Sequence, residues 1–296
     1  MTAPWMIVLA SFLFATMGVC VKLASAQYSA GEIVFYRSLT GALVMLAYAR
    51  WQGGSVATTM PGMHFWRSLT GVVSLCLWFY AIGNLPLATA MTLNYMSSVW
   101  MALFLIGGAV ALGTARVDGR MVLTVLLGFA GVALVLRPTI ERQQLWHGLM
   151  GLLSGLFAAM AYLQVTALGR AGEPEYRVVF YFSLAGVAVG ALSLFWNGMN
   201  GHTPGGIALL LAVGVLATVA QLLMTRAYST GATLVNASLQ YLGIAYAYGY
   251  GILLFDDRLH APALFGMVLI VAAGLFATLL RSRNLAHDPG RPPAES

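Results

Sequence analysis

The sequence has 296 residues, of which 60% are hydrophobic and 8% are charged. Soluble globular proteins average about 25% charged residues, so this composition excludes a conventional soluble enzyme, a disordered chain and a nucleic-acid-binding domain. The net charge of +6 comes from arginines and a single lysine scattered between long apolar runs, which is typical of the ends of membrane spans. The two cysteines, Cys20 and Cys76, belong to no CxxC or Cys/His cluster, so we predict no metal site and no cofactor.

The apolar runs are long enough to cross a membrane, which takes about 20 mostly apolar residues. We interpret the first run as a span and not as a cleaved signal peptide, because no basic region precedes it, although Ala24-Ser25-Ala26 has the pattern of a cleavage site. Residues 282–296 are predicted to form a disordered tail. The sequence thus predicts an all-α polytopic membrane protein with ten transmembrane helices, at approximately 5–24, 31–50, 64–83, 87–107, 120–137, 147–168, 178–197, 205–227, 233–255 and 262–280.

Two stretches of the first half return in the second half in the same order. Phe35-Tyr36-Arg37 corresponds to Phe180-Tyr181-Phe182 at an offset of 145. Leu93-Asn94-Tyr95 corresponds to Leu239-Gln240-Tyr241 at an offset of 146. Each repeat then holds five spans, and because five is odd the second repeat enters the membrane from the opposite side. Inverted repeats place a solute site near the middle of the membrane and provide two alternative gates, so this parity predicts a transporter.

The repeats are residues 1–140 and 141–281, and their orientation follows from the basic residues. With the N-terminus inside, ten arginines, Arg67 among them, fall on the cytoplasmic face and four basic residues fall on the outer face, while Arg37 lies within the second span. Basic residues are enriched in cytoplasmic loops. We therefore expect both termini in the cytoplasm and the chain in the inner, cytoplasmic membrane.

Several short motifs follow one another along the chain: Phe79-Tyr80-Ala81, Leu85-Pro86-Leu87-Ala88, Gly128-Phe129-Ala130-Gly131 running to Leu136-Arg137-Pro138, and Arg226-Ala227-Tyr228. In this order and spacing the chain resembles the EamA-type ten-helix members of the drug/metabolite transporter superfamily, apart from its tail. Within them it is similar to the YddG-type aromatic amino-acid exporters. Leu112-Gly113-Thr114 stands where the family often has Leu-Gly-Glu, and Ser97-Ser98 stands where it often has a proline. The roles of that glutamate and that proline do not transfer.

No carboxylate is predicted in the middle of the membrane. All nine acidic residues and all five histidines lie in loops, at span ends or in the tail. Proton-coupled carriers commonly relay protons through buried Asp, Glu or His, so we expect a carrier of neutral or zwitterionic solutes that is not obligatorily proton-coupled. No HExxH motif, metal cluster or Ser/His/Asp set lies on a predicted helix, which argues against an enzyme.

Asn94 and Gln240 are the most informative polar residues, because they are equivalent in the repeats and each lies about 10 Å into its span at 1.5 Å per residue. A primary amide in hydrocarbon needs hydrogen-bond partners inside the protein. The two amides either hold helices together or line a central cavity and bind solute. Ser98, Asn236 and Gln221 extend the polar faces of these and the neighbouring spans, which favours the cavity.

Deep aromatic residues would complete such a cavity. They are Trp78, Tyr95, Tyr162 and Tyr241. A tyrosine in mid-span has a hydroxyl that needs a partner and therefore favours the interior of the bundle, although packing against lipid is the alternative for each ring. Stacking on such rings suits flat, hydrophobic solutes.

Arg37 has no predicted acidic partner except Glu32 at the outer end of its span. It is either a structural residue that bonds to backbone carbonyls or a group that gates the carrier or attracts a solute carboxylate. The sequence does not decide between these roles.

Together these features predict an inner-membrane transporter that exports or facilitates small amphipathic metabolites, aromatic or hydrophobic amino acids first, by alternating access around a central cavity. Its expected partners are that solute and membrane lipid, and no nucleic acid. The alternatives are a channel or scaffold without alternating access, and a carrier of lipophilic cations or nucleotide sugars. The absence of a buried carboxylate argues against cations, and the shortage of mid-membrane Lys and Arg argues against phosphates.

Overall fold

The computed structural model describes residues 2–111, 142–230, 239–257 and 261–286, together with Asn236 and a few positions between 123 and 134. Most of these residues are helical, the rest form short connections, and no strand occurs among them. The principal helices are α1 Ala3–Ala24, α2 Ala30–Trp51, α3 Pro61–Asn84, α4 Leu87–Tyr95, α5 Ser97–Ala111, α6 Arg142–Arg170, α7 Glu175–Asn197, α8 Pro204–Thr230, α9 Leu242–Phe255 and α10 Ala261–Ala286.

Six of the described helices, α1, α2, α3, α6, α7 and α8, are long and apolar enough to cross a bilayer. Helix α9 and the Leu264–Ala273 part of α10 are shorter apolar helices. Many large apolar side chains on the outside of the bundle are exposed, such as Trp51 and Phe195, as expected where lipid is the solvent. The chain is a polytopic membrane protein. The fifth predicted span, 120–137, is described at only eight scattered positions between 123 and 134, and the rest of it lies outside the described residues.

Local sequence signals set several helix ends. Ser29 precedes α2, and its hydroxyl accepts a hydrogen bond of 3.3 Å from the Glu32 backbone N–H, which satisfies one of the free donors of the first turn. Thr203 does the same for Gly206 at the start of α8, at 3.1 Å. Helix α3 begins at Pro61, where a missing N–H costs no intrahelical bond.

Two predicted spans are not continuous helices. The fourth span, predicted at 87–107, is divided at Met96 into α4 and α5. The ninth span, predicted at 233–255, is divided at Gln240 and Tyr241, and α9 begins only at Leu242. The apolar pattern continues through both breaks, and hydropathy alone therefore predicts one helix where the structure has two pieces.

The helices pack in a regular pattern. The most extensive contacts join α2 with α7, α3 with α6, and α1 with α8. Further contacts join α2 with α8 and α3 with α7, and then α1 with α9 and α4 with α6. The interrupted helix α4 also contacts α9. The core of the bundle therefore lies among helices from both halves of the chain.

Helices α2 and α7 approach each other closely through paired small residues. A Cβ on Gly41 would lie 2.6 Å from the Ser183 hydroxyl oxygen, and a Cβ on Gly186 would overlap the Ser38 hydroxyl oxygen. Glycine at both positions permits this close approach. The two contacts are reciprocal, because Ser38 and Ser183, like Gly41 and Gly186, are separated by the repeat offset of 145.

Candidate functional site

The two helix breaks lie against the centre of the bundle. At the first break, the Met96 N–H donates to the Leu93 carbonyl at 3.3 Å. At the second break, the Gly243 N–H donates to the Gln240 carbonyl at 2.9 Å. Turns of this kind replace regular i to i−4 bonds. Within a membrane protein, the backbone polar groups that they free are tolerated where they are buried in protein or line a cavity.

Beside the breaks lies a cavity of about 60 Å³, which is the volume of about two water molecules at about 30 Å³ each. Side chains from α1, α2, α3, α4, α6, α7 and α8 surround it. Of the residues predicted to form a solute site, it is lined by Trp78, Asn94, Tyr95, Tyr162, Gln221 and Gln240. It is also lined by Ile7, Ala10, Ser11, Phe14, Met17, Arg37, Arg67, Gly71, Ser74, Leu75, Ala158, Ala161, Phe182 and Met224.

Three predicted site residues are buried but do not line this cavity. Ser98 follows the first break, and Asn236 uses its side-chain N–H to donate to the Ala227 carbonyl at 2.6 Å. Tyr241 lies with Ile244 and Tyr248 in a separate apolar groove of the α9–α10 region. Their prediction assumed that a polar face continues along an unbroken helix, whereas each break changes the direction of the side chains on either side of it.

The two amides that line the cavity have different environments. The Asn94 side-chain N–H donates to the Ser154 hydroxyl at 3.0 Å, and that hydroxyl donates to the Gly151 carbonyl at 2.6 Å. The Gln240 side-chain N–H donates to the Met224 sulfur at 3.5 Å and also has the Tyr162 hydroxyl as a hydrogen-bond partner, while its carbonyl oxygen has no partner among the described residues. Gln240 is thus the amide with free hydrogen-bonding capacity at the cavity.

The aromatic side of the cavity is formed by stacked and edge-on rings. Tyr162 stacks on Tyr228 with ring centroids 5.5 Å apart and an interplanar angle of 9°. Trp78 meets Phe14 edge-on at 6.2 Å, and its indole N–H has no partner among the described residues. These rings provide flat apolar surface together with a polar atom at the same cavity.

Two arginines also face the cavity. Arg37 and Arg67 are 4% and 3% exposed, and their guanidinium carbons lie 4.8 and 4.6 Å from the centre of the Phe182 ring. Neither forms an ion pair with any described carboxylate. Glu32, the expected partner of Arg37, instead accepts from the Asn200 amide at 2.8 Å and lies 3.6 Å from the His202 ring nitrogen.

The count of basic residues assigned Arg67 to the cytoplasmic face and did not predict that its side chain lines the cavity. Arg67 is the seventh residue of α3 and is folded into the bundle. The sequence placed Arg67 inside the predicted span 64–83, and this position could have indicated that its side chain is buried. Phe182 was also missed, although the repeat aligns it with Arg37 at the offset of 145.

Polar contacts join the helix ends on either side of the cavity. At one end, Lys22 donates to the Leu85 carbonyl at 3.0 Å and lies 3.7 Å from Asp257, which accepts from the Leu87 N–H at 3.2 Å. At the other end, Glu173 lies 3.0 Å from the His64 ring nitrogen and 3.6 Å from Arg177.

Burial of the Glu173 carboxyl opposes its ionisation. Hydrogen bonds from His64 and Thr58 and the nearby charges of His64 and Arg177 outweigh this effect and hold the pKa of Glu173 below its ordinary value. A carboxylate held in this way is charged at neutral pH and ties the α6–α7 connection to the start of α3. No cluster of three or more metal-ligating side chains occurs in the described part of the chain.

Comparison with known proteins agrees with this architecture. The sequence profile of the EamA-like transporter family matches residues 1–137. The pseudopaline exporter of Pseudomonas aeruginosa is 35% identical over 269 residues, covering 90% of this chain and 92% of the relative. An uncharacterized transporter of Helicobacter pylori is 26% identical over 282 residues, covering 93% of each chain.

A solved crystal structure has the same fold, with a TM-score of 0.69 at 18% identity, covering 95% of this chain and 98% of the other. The extended similarity to the pseudopaline exporter covers both halves of the chain. The protein is a membrane transporter of small metabolites and not an enzyme, and it belongs to the EamA-like transporter family.

Proposed function

We propose that the protein is an exporter that works by alternating access between two inverted five-helix repeats, residues 1–140 and 141–281, with 282–296 as a cytoplasmic tail. The observation that carries the proposal is the pair of helix breaks, at Met96 and at Gln240–Tyr241, beside one cavity. Transporters with inverted repeats commonly bind solute at discontinuous helices near the midplane.

The packing pattern supports the repeat. If α1, α2 and α3 correspond to α6, α7 and α8, exchanging the halves converts the α1–α8 contact into the α6–α3 contact and returns α2–α7 to itself. The reciprocal contacts of Gly41 with Ser183 and of Gly186 with Ser38 follow the same exchange. The family profile, which matches 1–137, also spans one proposed repeat.

Loop contacts support five spans per repeat. Arg177, in the first turn of α7, donates to the carbonyl of Ser55, which follows α2, at 2.7 Å. Gln27, after α1, donates to the Gly201 carbonyl, after α7, at 2.7 Å. If both termini are cytoplasmic in the inner membrane, the first contact is on the cytoplasmic side and the second is on the outer side.

The proposed solutes are small amphipathic metabolites, with aromatic and hydrophobic amino acids as the first to test. Trp78, Tyr95 and Tyr162 offer rings, and the unpartnered Gln240 carbonyl oxygen can accept from an ammonium group. A cavity of about 60 Å³ must enlarge to admit an amino acid, as an alternating-access cycle requires. The pseudopaline exporter among the relatives supports the outward direction.

Lipophilic cations fit the cavity less well, because no carboxylate lines it in the described part of the chain, whereas Arg37 and Arg67 do. A buried positive pair repels a cation. The alternative that is not a carrier is a channel or scaffold. Such a protein needs neither the repeat symmetry nor a rearrangement that opens the cavity to a solute.

Counterflow in proteoliposomes tests the proposal. Vesicles loaded with unlabelled phenylalanine should take up labelled phenylalanine in a saturable manner, and empty vesicles without the protein provide the control. Linear, non-saturating flux would indicate a channel. Absence of flux with phenylalanine, tryptophan and leucine alike would reject the amino-acid assignment.

A further inference from the structure

The guanidinium groups of Arg37 and Arg67 share one aromatic ring at the wall of the cavity. Both lie within 5 Å of the centre of Phe182, at 4.8 and 4.6 Å. They come from different helices, α2 and α3, while Phe182 lies on α7. The ring holds both cations at one place in the bundle through contacts with its π-system.

The sequence makes room for this arrangement. A Cβ on Gly71, one turn after Arg67, would overlap the Arg67 terminal nitrogen Nη1 and lie 2.9 Å from the Phe182 ring. Glycine at this position lets the guanidinium fold back along α3 and face the cavity. Arg67 therefore has a defined position inside the bundle, and its guanidinium group is buried there.

Two buried positive charges without a carboxylate are costly, because burial removes their hydration and each repels the other. Three of their nitrogens, Arg37 Nε, Arg67 Nε and Arg67 Nη1, are buried without a hydrogen-bond partner in the described part of the chain. The nearest acidic candidate in sequence, Glu32, is occupied by Asn200 and His202. Positively charged hydrogen-bond donors without partners at a cavity are suited to binding an anion.

We propose that Arg37 and Arg67 form one anion-binding subsite for carboxylate groups of the transported solute, and that a solute with two carboxylates is preferred to one with a single carboxylate. This inference rests on the proposed function, since it names the chemistry of the solute in the same cavity. Guanidinium groups match carboxylates in geometry and stay charged when buried. Two of them are neutralised by two carboxylates, whereas an amino acid with one carboxylate leaves a positive charge unbalanced.

A panel of ligands with one shared benzyl group tests the charge preference in the unmodified protein. Benzylsuccinate carries two carboxylates, phenylalanine carries one carboxylate and an ammonium group, and phenylalaninamide carries no carboxylate. Binding to the purified full-length protein in detergent is measured by calorimetry. A hydrogen bond to a charged group contributes about 1.5–3 kcal/mol, so we expect successive affinities to fall by about 10- to 150-fold in this order.

Equal affinity for the three ligands would overturn the inference, and so would tighter binding of phenylalaninamide. Inorganic phosphate is the remaining arm of the panel. If phosphate competes with benzylsuccinate at equal concentration, the arginines bind any anion and the assignment to a solute carboxylate is wrong.

Substitutions then test whether the two arginines cause the preference for carboxylates. Arg37→Gln and Arg67→Gln should each weaken benzylsuccinate binding by about 10- to 150-fold while changing phenylalaninamide binding little. The matched control is Arg226→Gln, which removes an arginine that is 59% exposed and pairs with Glu175 away from the cavity. Retention of the full benzylsuccinate preference in both cavity variants would overturn the assignment. Arg67→Lys retains the charge and is the version to measure if the glutamine variant does not fold.

Failure of this inference and failure of the proposed function give different results. Binding that follows the carboxylate count without saturable counterflow would leave the subsite intact and reject the carrier. Saturable counterflow that is indifferent to carboxylates and to both arginine variants would leave the carrier intact and reject the subsite.

Discussion

At the cavity, Asn94 and Gln240 occupy corresponding positions of the two proposed repeats, and their side chains have different hydrogen-bond partners. Asn94 uses its N–H on Ser154 at 3.0 Å, so part of its hydrogen-bonding capacity supports the contact between α4 and α6. The Gln240 carbonyl oxygen is buried and unpartnered among the described residues. The bond to Ser154 agrees with the packing interpretation for Asn94, and solute binding by either amide stays a prediction.

Gln240→Ala is expected to weaken apparent solute affinity by about 2- to 12-fold, because one neutral hydrogen bond contributes about 0.5–1.5 kcal/mol. Asn94→Ala should weaken affinity by a similar factor and also lower thermal stability, because it breaks the bond to Ser154. Counterflow kinetics and thermal unfolding of the purified proteins measure the two effects.

Asn84→Ala is the matched amide control, because Asn84 is exposed at the end of α3 and its side-chain N–H donates to the Tyr80 carbonyl of its own helix. Normal transport by both Asn94→Ala and Gln240→Ala would show that the amides serve packing alone.

Glu173 gives a second prediction, on the dependence of stability on pH. Its pKa is lower in the folded protein than its ordinary value, so the stabilisation is fully present above about pH 4.3 and is lost as the pH falls through the lowered pKa. Glu173→Gln should cost about 1.5–3 kcal/mol of stability at neutral pH, and the difference from the unmodified protein should shrink in acid.

Thermal unfolding between pH 3 and 7 measures this difference. Glu175→Gln is the control, because the Glu175–Arg226 pair is exposed to solvent and such pairs contribute about 0–1 kcal/mol. If the stability difference between Glu173→Gln and the unmodified protein is the same at every pH, the charge of Glu173 does not stabilise the protein.

Helix α6 is the element that holds the first break in place. A Cβ on Gly155 would lie 2.7 Å from the Leu93 carbonyl oxygen and 2.9 Å from that of Asn94. These are backbone atoms at the end of α4, so an added methyl group must displace the break itself. Close packing of α6 on α4 therefore couples helix geometry to the position of Asn94 and Tyr95.

Gly155→Ala should destabilise the protein by about 1–3 kcal/mol, the usual cost of overpacking, and should reduce counterflow. Gly107→Ala is the control, since nothing lies within 4 Å of a Cβ at that position of α5, and alanine favours a helix over glycine by up to about 1 kcal/mol. If Gly155→Ala matches Gly107→Ala in both stability and counterflow, the close approach does not position the break.

The molecule as a whole has helix contacts consistent with an exchange of its two halves, and the proposed odd number of spans per half determines on which side each loop lies. We predict that the 138–146 loop is external and that the 282–296 tail is cytoplasmic. Cys20 and Cys76 are free cysteines, so single cysteines are introduced after both have been replaced.

An impermeant thiol reagent added to intact cells should label the loop cysteine and not the tail cysteine. Permeabilised cells provide the control for reactivity. Equal labelling of both positions before permeabilisation would contradict the proposed topology of five spans in each repeat.

Energy coupling is also a property of the whole molecule. No carboxylate or histidine lines the cavity in the described part of the chain, so the cavity wall there offers none of the groups that proton-coupled carriers commonly use to relay protons. Flux should follow the solute gradient and persist when a protonophore collapses the proton gradient. Uphill accumulation driven only by an imposed pH gradient would contradict this expectation, with vesicles at equal pH as the control.

Much of the cavity could be predicted, because a polar side chain within an apolar membrane span needs hydrogen-bond partners inside the protein and therefore faces the bundle interior. Asn94, Gln240, Gln221, Tyr162, Tyr95 and Trp78 all line it. Ser98, Asn236 and Tyr241 do not, because their placement assumed helices that continue through Met96 and through Gln240–Tyr241. Backbone breaks depend on packing against neighbours such as Gly155, and hydropathy does not report that packing.

The sequence by itself determined the membrane character, the helical class and the family resemblance, since these depend on composition, on run lengths and on motifs read in order along the chain. Only the tertiary structure brought Arg37 and Arg67 to one ring, where neither pairs with a carboxylate of the described residues. Arg67 lies near the start of α3, where an arginine can equally extend to the membrane surface. Its direction is set by the space at Gly71 and by Phe182 on a distant helix, which are contacts between residues far apart in the chain.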